Sequence, residues 1–293
     1  MLITEAGKLT AYTYDAAGNK LGEAITDAAS NQTRTTRWTY AGNGLMHSMT
    51  DAGGGLWQYG YDAVGNRTSV RNPLGHQASY AYDAAGRLMS QTDPNGLVTT
   101  WAWDARGRML RQTAGAETTV YSYSATGQLS SATLPGGYAV NYGYDNAQRL
   151  TSATDNRGNT ISYTLDAAGN RTREEVRDVG NAIAKVTTRI VNNLNQVTHV
   201  QGVMGQSTQL GYDANGEPVS QTDPMAQTTR QTLDGLRRPT QTTFADSNAA
   251  SQAWSQLDQL TAVTEPKGVK TSYTANAFGD TTSETSPDIG TVL

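Results

Sequence analysis

A seven-residue motif, Tyr82-Asp83-Ala84-Ala85-Gly86-Arg87-Leu88, returns along this chain at a nearly fixed period, and that periodicity limits the fold more than any other property of the sequence. Close copies begin at Tyr14, Tyr61, Trp103 and Tyr212, and weaker ones are anchored at Tyr40, Tyr123, Tyr144, Leu165, Val191, Leu233, Trp254 and Ala275. Of the twelve intervals between these thirteen anchors, nine are 21 residues, one is 20 and two are 26. An accident of composition would not hold register over that distance.

Within one unit, Tyr80 and Tyr82 lie two residues apart, so on a strand they point to one face. The same spacing occurs at Tyr12/Tyr14, Trp38/Tyr40, Tyr59/Tyr61, Trp101/Trp103, Tyr121/Tyr123 and Tyr142/Tyr144. Asp83-Ala-Ala-Gly86 follows. An Asp side chain accepts from the backbone two residues on, and Gly supplies the left-handed residue that closes a type I turn in a bulged hairpin. Arg87 to Thr92 then reads as the returning strand, and Asp93-Pro94-Asn95-Gly96 as a second turn in which Pro presets φ. Asp155-Asn156-Arg157-Gly158, Asp223-Pro224-Met225-Ala226 and Glu265-Pro266-Lys267-Gly268 are related second turns.

Two strands and two turns per unit predict an all-β chain: repeated antiparallel β-hairpins of roughly 26 strands, forming a curled, spiralling ribbon. Curling is expected because open sheets rarely exceed about ten strands without doing so, and twist accumulates at about 20–25° per strand. Residues 1–293 are expected to be one array of about thirteen repeats, each touching mainly its neighbours, with no separate catalytic domain. The two 26-residue intervals place extra polar residues at 27–34 and 178–184, which read as lengthened loops. Thr4 to Gly7 falls at a second-turn position and Thr291-Val292-Leu293 in a strand, so the sequence reads as a piece of a longer protein.

The chemistry of the chain excludes more than it offers. Net charge is −4 and no basic run exceeds Arg237-Arg238, which argues against nucleic acid as a partner. With no cysteine there is neither a disulfide nor thiolate chemistry, and no apolar run approaches a membrane span or a signal peptide. His47, His76 and His199 fall at unrelated repeat positions, so no metal or other cofactor is expected and no catalytic residue is identified. Asp15, Asp62, Asp83, Asp104, Asp145, Asp166, Asp213 and Asp234 follow their anchors and read as turn caps rather than paired acids, because a catalytic site needs one differentiated constellation. Asp83/Arg87, Asp104/Arg108 and Asp145/Arg149 read as exposed pairs contributing at most about 1 kcal/mol each. Gly53-Gly54-Gly55 lacks the Gly-Lys-Ser/Thr of a phosphate loop and reads as a flexible turn, more tolerant of substitution at Gly54 than the motif turn is at Gly86.

Fifteen Tyr and five Trp stand against two Phe, which favours a surface half buried and half wet. The aromatic positions are expected to stack between successive repeats. Alternatively, exposed rings flanked by Asp, Asn and Arg would bind carbohydrate.

The Tyr-Asp-x-x-Gly-Arg-Leu unit with its Thr-Asp-Pro-x-Gly turn resembles the YD repeat of the RHS (rearrangement hotspot) family, over the whole chain. That family includes bacterial polymorphic toxins, the shell-forming subunits of toxin complexes and, more distantly, teneurins. The resemblance implies a β-hairpin ribbon forming a hollow shell around a C-terminal toxin or effector domain of the same polypeptide, exported and delivered through secretion machinery. It implies a secreted or cell-surface bacterial protein and no enzyme activity in this segment. The family's autoproteolytic Asp-Pro-x-Gly core is not identifiable, since Asp93-Pro94-Asn95-Gly96-Leu97 occupies an ordinary second turn. The rival expectation is a cell-surface carbohydrate- or receptor-binding array.

Overall fold

The computed structural model describes residues 2–5, 7–288 and 290–292. Among them are 28 strands, β1 to β28 in chain order, in one antiparallel sheet in which neighbours in sequence pair with each other. The only helical element among the described residues is a 3-10 turn at Pro135–Gly137. The motif repeat supplies two strands per copy, as in β8 (Gln77–Tyr82) and β9 (Leu88–Thr92), followed by β10 (Val98–Trp103) of the next copy. Two further strands, β1 (Leu2–Glu5) and β28 (Gly290–Val292), extend the array beyond the expected 26. Within the terminal segments 4–7 and 291–293, Ala6 and Leu293 lie outside the described residues.

The anchor is where each hairpin changes register. β8 pairs with β9 as Tyr80↔Gln91 and Ala81↔Ser90, then shifts so that Tyr82 faces Leu88. The same one-residue bulge precedes Tyr14, Tyr61, Trp103, Tyr144, Tyr212 and Trp254. A left-handed residue closing a type I turn produces such a bulge. Gly86 has φ 76° and Gly107 φ 79°. The second turn after β9 is built the same way: Asp93 N–H donates to Leu97 O, and Gly96 (φ 86°) donates to Asp93 O. Gly53-Gly54-Gly55 is no exception. Asp51 N–H bonds Gly55 O and Gly54 has φ 85°, so it is a defined turn and not a flexible one.

The two long intervals differ from expectation. Their loops, 28–32 and 178–182, are no longer than an ordinary second turn, and the extra residues lengthen strands instead. β3 (Lys20–Asp27) and β4 (Thr33–Tyr40) have eight residues each, and β17 (Arg171–Arg177) and β18 (Ile183–Val191) have seven and nine, against five in β9. The pairing Thr26↔Thr33 shows the ladder continuing to the loop. Alternating Thr and branched residues in Ala24-Ile25-Thr26 and Thr33-Arg34-Thr35 favour extended backbone over loop.

Backbone packing divides the chain into two compact units, Met1–Val120 with Ala275–Thr282, and Tyr121–Thr274 with Ser283–Leu293. Neither holds a conventional core among its described residues. Among the described residues the buried apolar side chains are Ala132, Ala262 and Ala277, and none of the large side chains is fully buried. The solvent-accessible surface is 18059 Å² at 31.3 kDa, against about 12,000 Å² for a compact monomer of that mass. A single half-buried sheet layer cannot rely on burial alone, so ordered polar contacts must carry more of the specificity.

Candidate functional site

The repeated contacts begin in the turns. Asp83 Oδ1 accepts from Ala85 N–H at 2.9 Å and from Arg87 N–H at 3.0 Å, while Oδ2 accepts from Arg87 Nε at 2.7 Å. The Arg87 guanidinium, and then the Arg87 backbone N–H, hold the Asp83 carboxyl below the usual 3.8. At Asp104 the backbone N–H of Arg108 is the larger cause of the same lowering. Where the fifth turn residue is Asn, as at Asn19, Asn66 and Asn170, its side-chain amide takes the place of the guanidinium and also lowers the Asp. All of these carboxylates cap their own turns.

Arg pairs do more than the exposed ion pairs expected of them. Arg87 Nη1 reaches the carbonyl of Asp104, one repeat on, at 2.8 Å. Arg149 bonds the Asp166 carbonyl at 3.0 Å and Arg238 the Ser255 carbonyl at 3.1 Å. One guanidinium thereby ties its own turn to the next.

The anchor ring makes a second tie in the opposite direction. Tyr82 Oη donates to Arg67 O at 2.9 Å, Trp103 Nε1 to Leu88 O at 2.8 Å, Tyr144 Oη to Leu129 O at 2.9 Å and Tyr212 Oη to Val197 O at 2.8 Å. Trp254 Nε1 reaches Pro239 O in the same way. Each bond runs fifteen residues back, to the start of the previous repeat's returning strand. This accounts for Tyr and Trp over Phe, because only those rings carry a donor at the tip.

Equivalent anchor rings are too far apart to stack between repeats among the described residues. Equivalent anchors are two strands apart, about 9.6 Å, beyond the 4.5–7 Å of an aromatic pair. The close ring pair among the described residues, Tyr12 and Tyr14 at 6.4 Å, lies within one strand. Cations fill the intervals instead. Lys20 Nζ is 4.2 Å from the Trp38 ring and 5.5 Å from Tyr12, and Arg171 is 3.7 Å from Tyr163.

One contact joins distant repeats inside the first unit. The turn Asn276–Asp280 sits on the long β3–β4 hairpin: Arg34 lies 4.2 Å over the Phe278 ring and pairs with the Asp280 carboxylate across 246 residues. Asp27, only 7% exposed, accepts from the backbone N–H groups of Ala29 and Ser30 and from the Ser30 hydroxyl, and Ser30 is the main reason its pKa is lowered. Ile25, Thr36 and Ala52 line the remaining space around Ala277 and Phe278.

Of the residues with possible catalytic chemistry, His76 bonds the Asn72 side chain and His199 lies against Thr198 Oγ1. Among the described residues no group of three His, Asp or Glu comes together to hold a metal ion, and no helix is long and apolar enough to cross a membrane. Asp93-Pro94-Asn95-Gly96 forms an ordinary second turn. A groove of about 850 Å³ in the second unit runs along second turns past Asp223, Phe244, Asp246 and Pro266.

A family model described as teneurin YD-shell matches residues 10–174, and one described as RHS repeat matches 212–249. The fold is similar to that of TcdB2-TccC3, at 16% identity with a TM-score of 0.66, covering 97% of this chain and 20% of that one. A second similar structure is the pore of the Photorhabdus luminescens Tc holotoxin, also at 16% identity and TM-score 0.66, with 97% and 19% covered. The chain thus spans about a fifth of the length of the solved chains it matches. No curated protein matches it.

Proposed function

The chain belongs to the teneurin YD-shell family, and from that premise we propose that residues 1–293 are one array of YD repeats forming part of the wall around an effector domain of the same polypeptide. The observation that carries this reading is the double tie between repeats. Anchor rings bond backward and, at Arg87, Arg149 and Arg238, turn arginines bond forward, so neighbouring hairpins are braced to each other where the described residues bury no large apolar side chain. A wall needs that combination: large area per residue, and shape held by local bonds. Each tie uses a side chain already committed to structure, which agrees with a structural rather than a catalytic role. Export to the outside of a bacterial cell, with secretion machinery as the delivering partner, completes the proposal.

Limited proteolysis of the polypeptide carrying this segment tests enclosure. The effector domain should resist protease until Arg87→Ala and Arg149→Ala loosen the ties. Cleavage as fast as that of the isolated effector domain would overturn the reading. A glycan array probed with the 293-residue chain tests the rival carbohydrate-binding reading, which saturable binding would favour.

A further inference from the structure

The chain contains two long hairpins, and they correspond over most of their paired length, differing next to the turn, where the second shifts register so that Arg177 faces Ile183 while Thr26 of the first faces Thr33. Counted from the flanking anchors, Glu23, Ile25 and Asp27 of β3 correspond to Glu174, Val176 and Asp178, and Arg34 and Thr36 of β4 correspond to Lys185 and Thr187. Up to that shift the registers agree: Glu23↔Thr36 and Ile25↔Arg34 in the first hairpin, Glu174↔Thr187 and Val176↔Lys185 in the second. Ala52, twelve residues past its anchor, corresponds to Val203.

Their surroundings differ. The first hairpin carries the Asn276–Asp280 turn, which buries Asp27 and places Phe278 and Asp280 against Arg34. On the second, Asp178 is exposed, Lys185 is 63% exposed with its ammonium 3.7 Å from Glu174, and Val203 is 59% exposed. Among the described residues, a seat with a cation for ring and carboxylate, an aliphatic floor and a flanking Asp is therefore present twice and filled once.

We propose that the face of the β17–β18 hairpin at Val176, Asp178 and Lys185 is a docking site for a YD-type turn from another length of ribbon, with an aromatic third residue and a carboxylate fifth. The seated Asn276–Asp280 turn defines that chemistry: the ring stacks under the cation and the carboxylate pairs with it. Lys185 supplies the positive charge that Arg34 supplies on the first hairpin. This docking depends on the two hairpins alone and holds whatever the ribbon encloses.

A backbone-cyclised peptide of residues 272–283 is the probe, titrated calorimetrically into the full chain. One equivalent should bind the wild-type chain. Lys185→Glu should abolish that binding, Lys185→Arg should keep it, and neither should move the thermal midpoint by more than a degree or two. The Phe278→Ala chain, whose own first seat is loosened, should take up a second equivalent that Arg34→Glu removes. No binding to the wild-type chain, or binding that survives Lys185→Glu, overturns the proposal.

Discussion

The left-handed residue of each turn is where one side chain has the largest local effect. Gly86 and Gly54 have φ of 76° and 85° in turns with the same hydrogen bonds, so Gly86→Val and Gly54→Val should each cost more than about 1 kcal/mol. Matching drops in the urea midpoint would check this, and an unchanged midpoint for either would count against the turn geometry. Degenerate repeats carry the opposite opportunity. Ala226 holds φ 60° and Arg237 φ 65° at the position where other copies have Gly. A non-Gly residue there costs about 1–2 kcal/mol of strain, partly offset by its smaller unfolded-state freedom, so Ala226→Gly should raise the midpoint. The anchor tip is the third residue-scale case. Tyr144→Phe keeps the ring but leaves Leu129 O without its donor, at a cost of about 0.5–1.5 kcal/mol, readable by the same denaturation.

At the scale of the hairpin, the capped Asp couples stability to pH. Asp83, Asp104, Asp145, Asp166 and Asp234 are all held below 3.8 in the folded chain, through the side chain or backbone N–H of the fifth turn residue. Below that value the unfolded chain binds more protons than the folded one, so the contribution is complete above about pH 4 to 5 and is lost as pH falls further. Thermal midpoints should be level above about pH 5 and fall below about pH 4, and Asp83→Asn with Asp104→Asn should flatten the fall. Strands, both turns and the bulge were legible in the sequence because each follows from local residue chemistry: Asp opens, Gly closes, Tyr-x-Tyr extends. The role of the anchor ring was not, because it depends on a carbonyl fifteen residues back. Only its donor atom, shown by Tyr and Trp in place of Phe, pointed to a hydrogen bond rather than a stack. The long hairpins read as loops in the sequence because Asp27 and Asp178 look like turn openers, which they are, only farther out. Aligning the two 26-residue intervals with each other would have exposed their shared Glu, branched aliphatic, Asp and cation.

On the scale of the whole chain, repeat arrays are expected to be least stable at their ends, since terminal strands have one neighbour and each repeat draws stability from the next. By that rule amides around Tyr144 and Tyr163 should exchange far more slowly than those around Tyr12 and Tyr273. The Arg34–Phe278–Asp280 contact changes the expectation, because it ties the last motif turn to the β3–β4 hairpin, and both regions must open together if either does. Closing a loop of 246 residues costs considerable entropy, so the contact must draw on more than one interaction at once: the ion pair, the cation over the ring and the apolar contact around Ala277 and Phe278. Arg34→Ala combined with Phe278→Ala should then speed exchange at Tyr12 and at residues 276–282 together, while Tyr144 and Tyr163 keep wild-type protection. Sodium chloride at about 1 M should reproduce only part of the effect, because it screens the exposed Arg34–Asp280 pair and leaves the ring contact intact. Independent rates for the two regions in the wild-type chain would mean that each is held by its own repeat and that the contact contributes nothing to their stability.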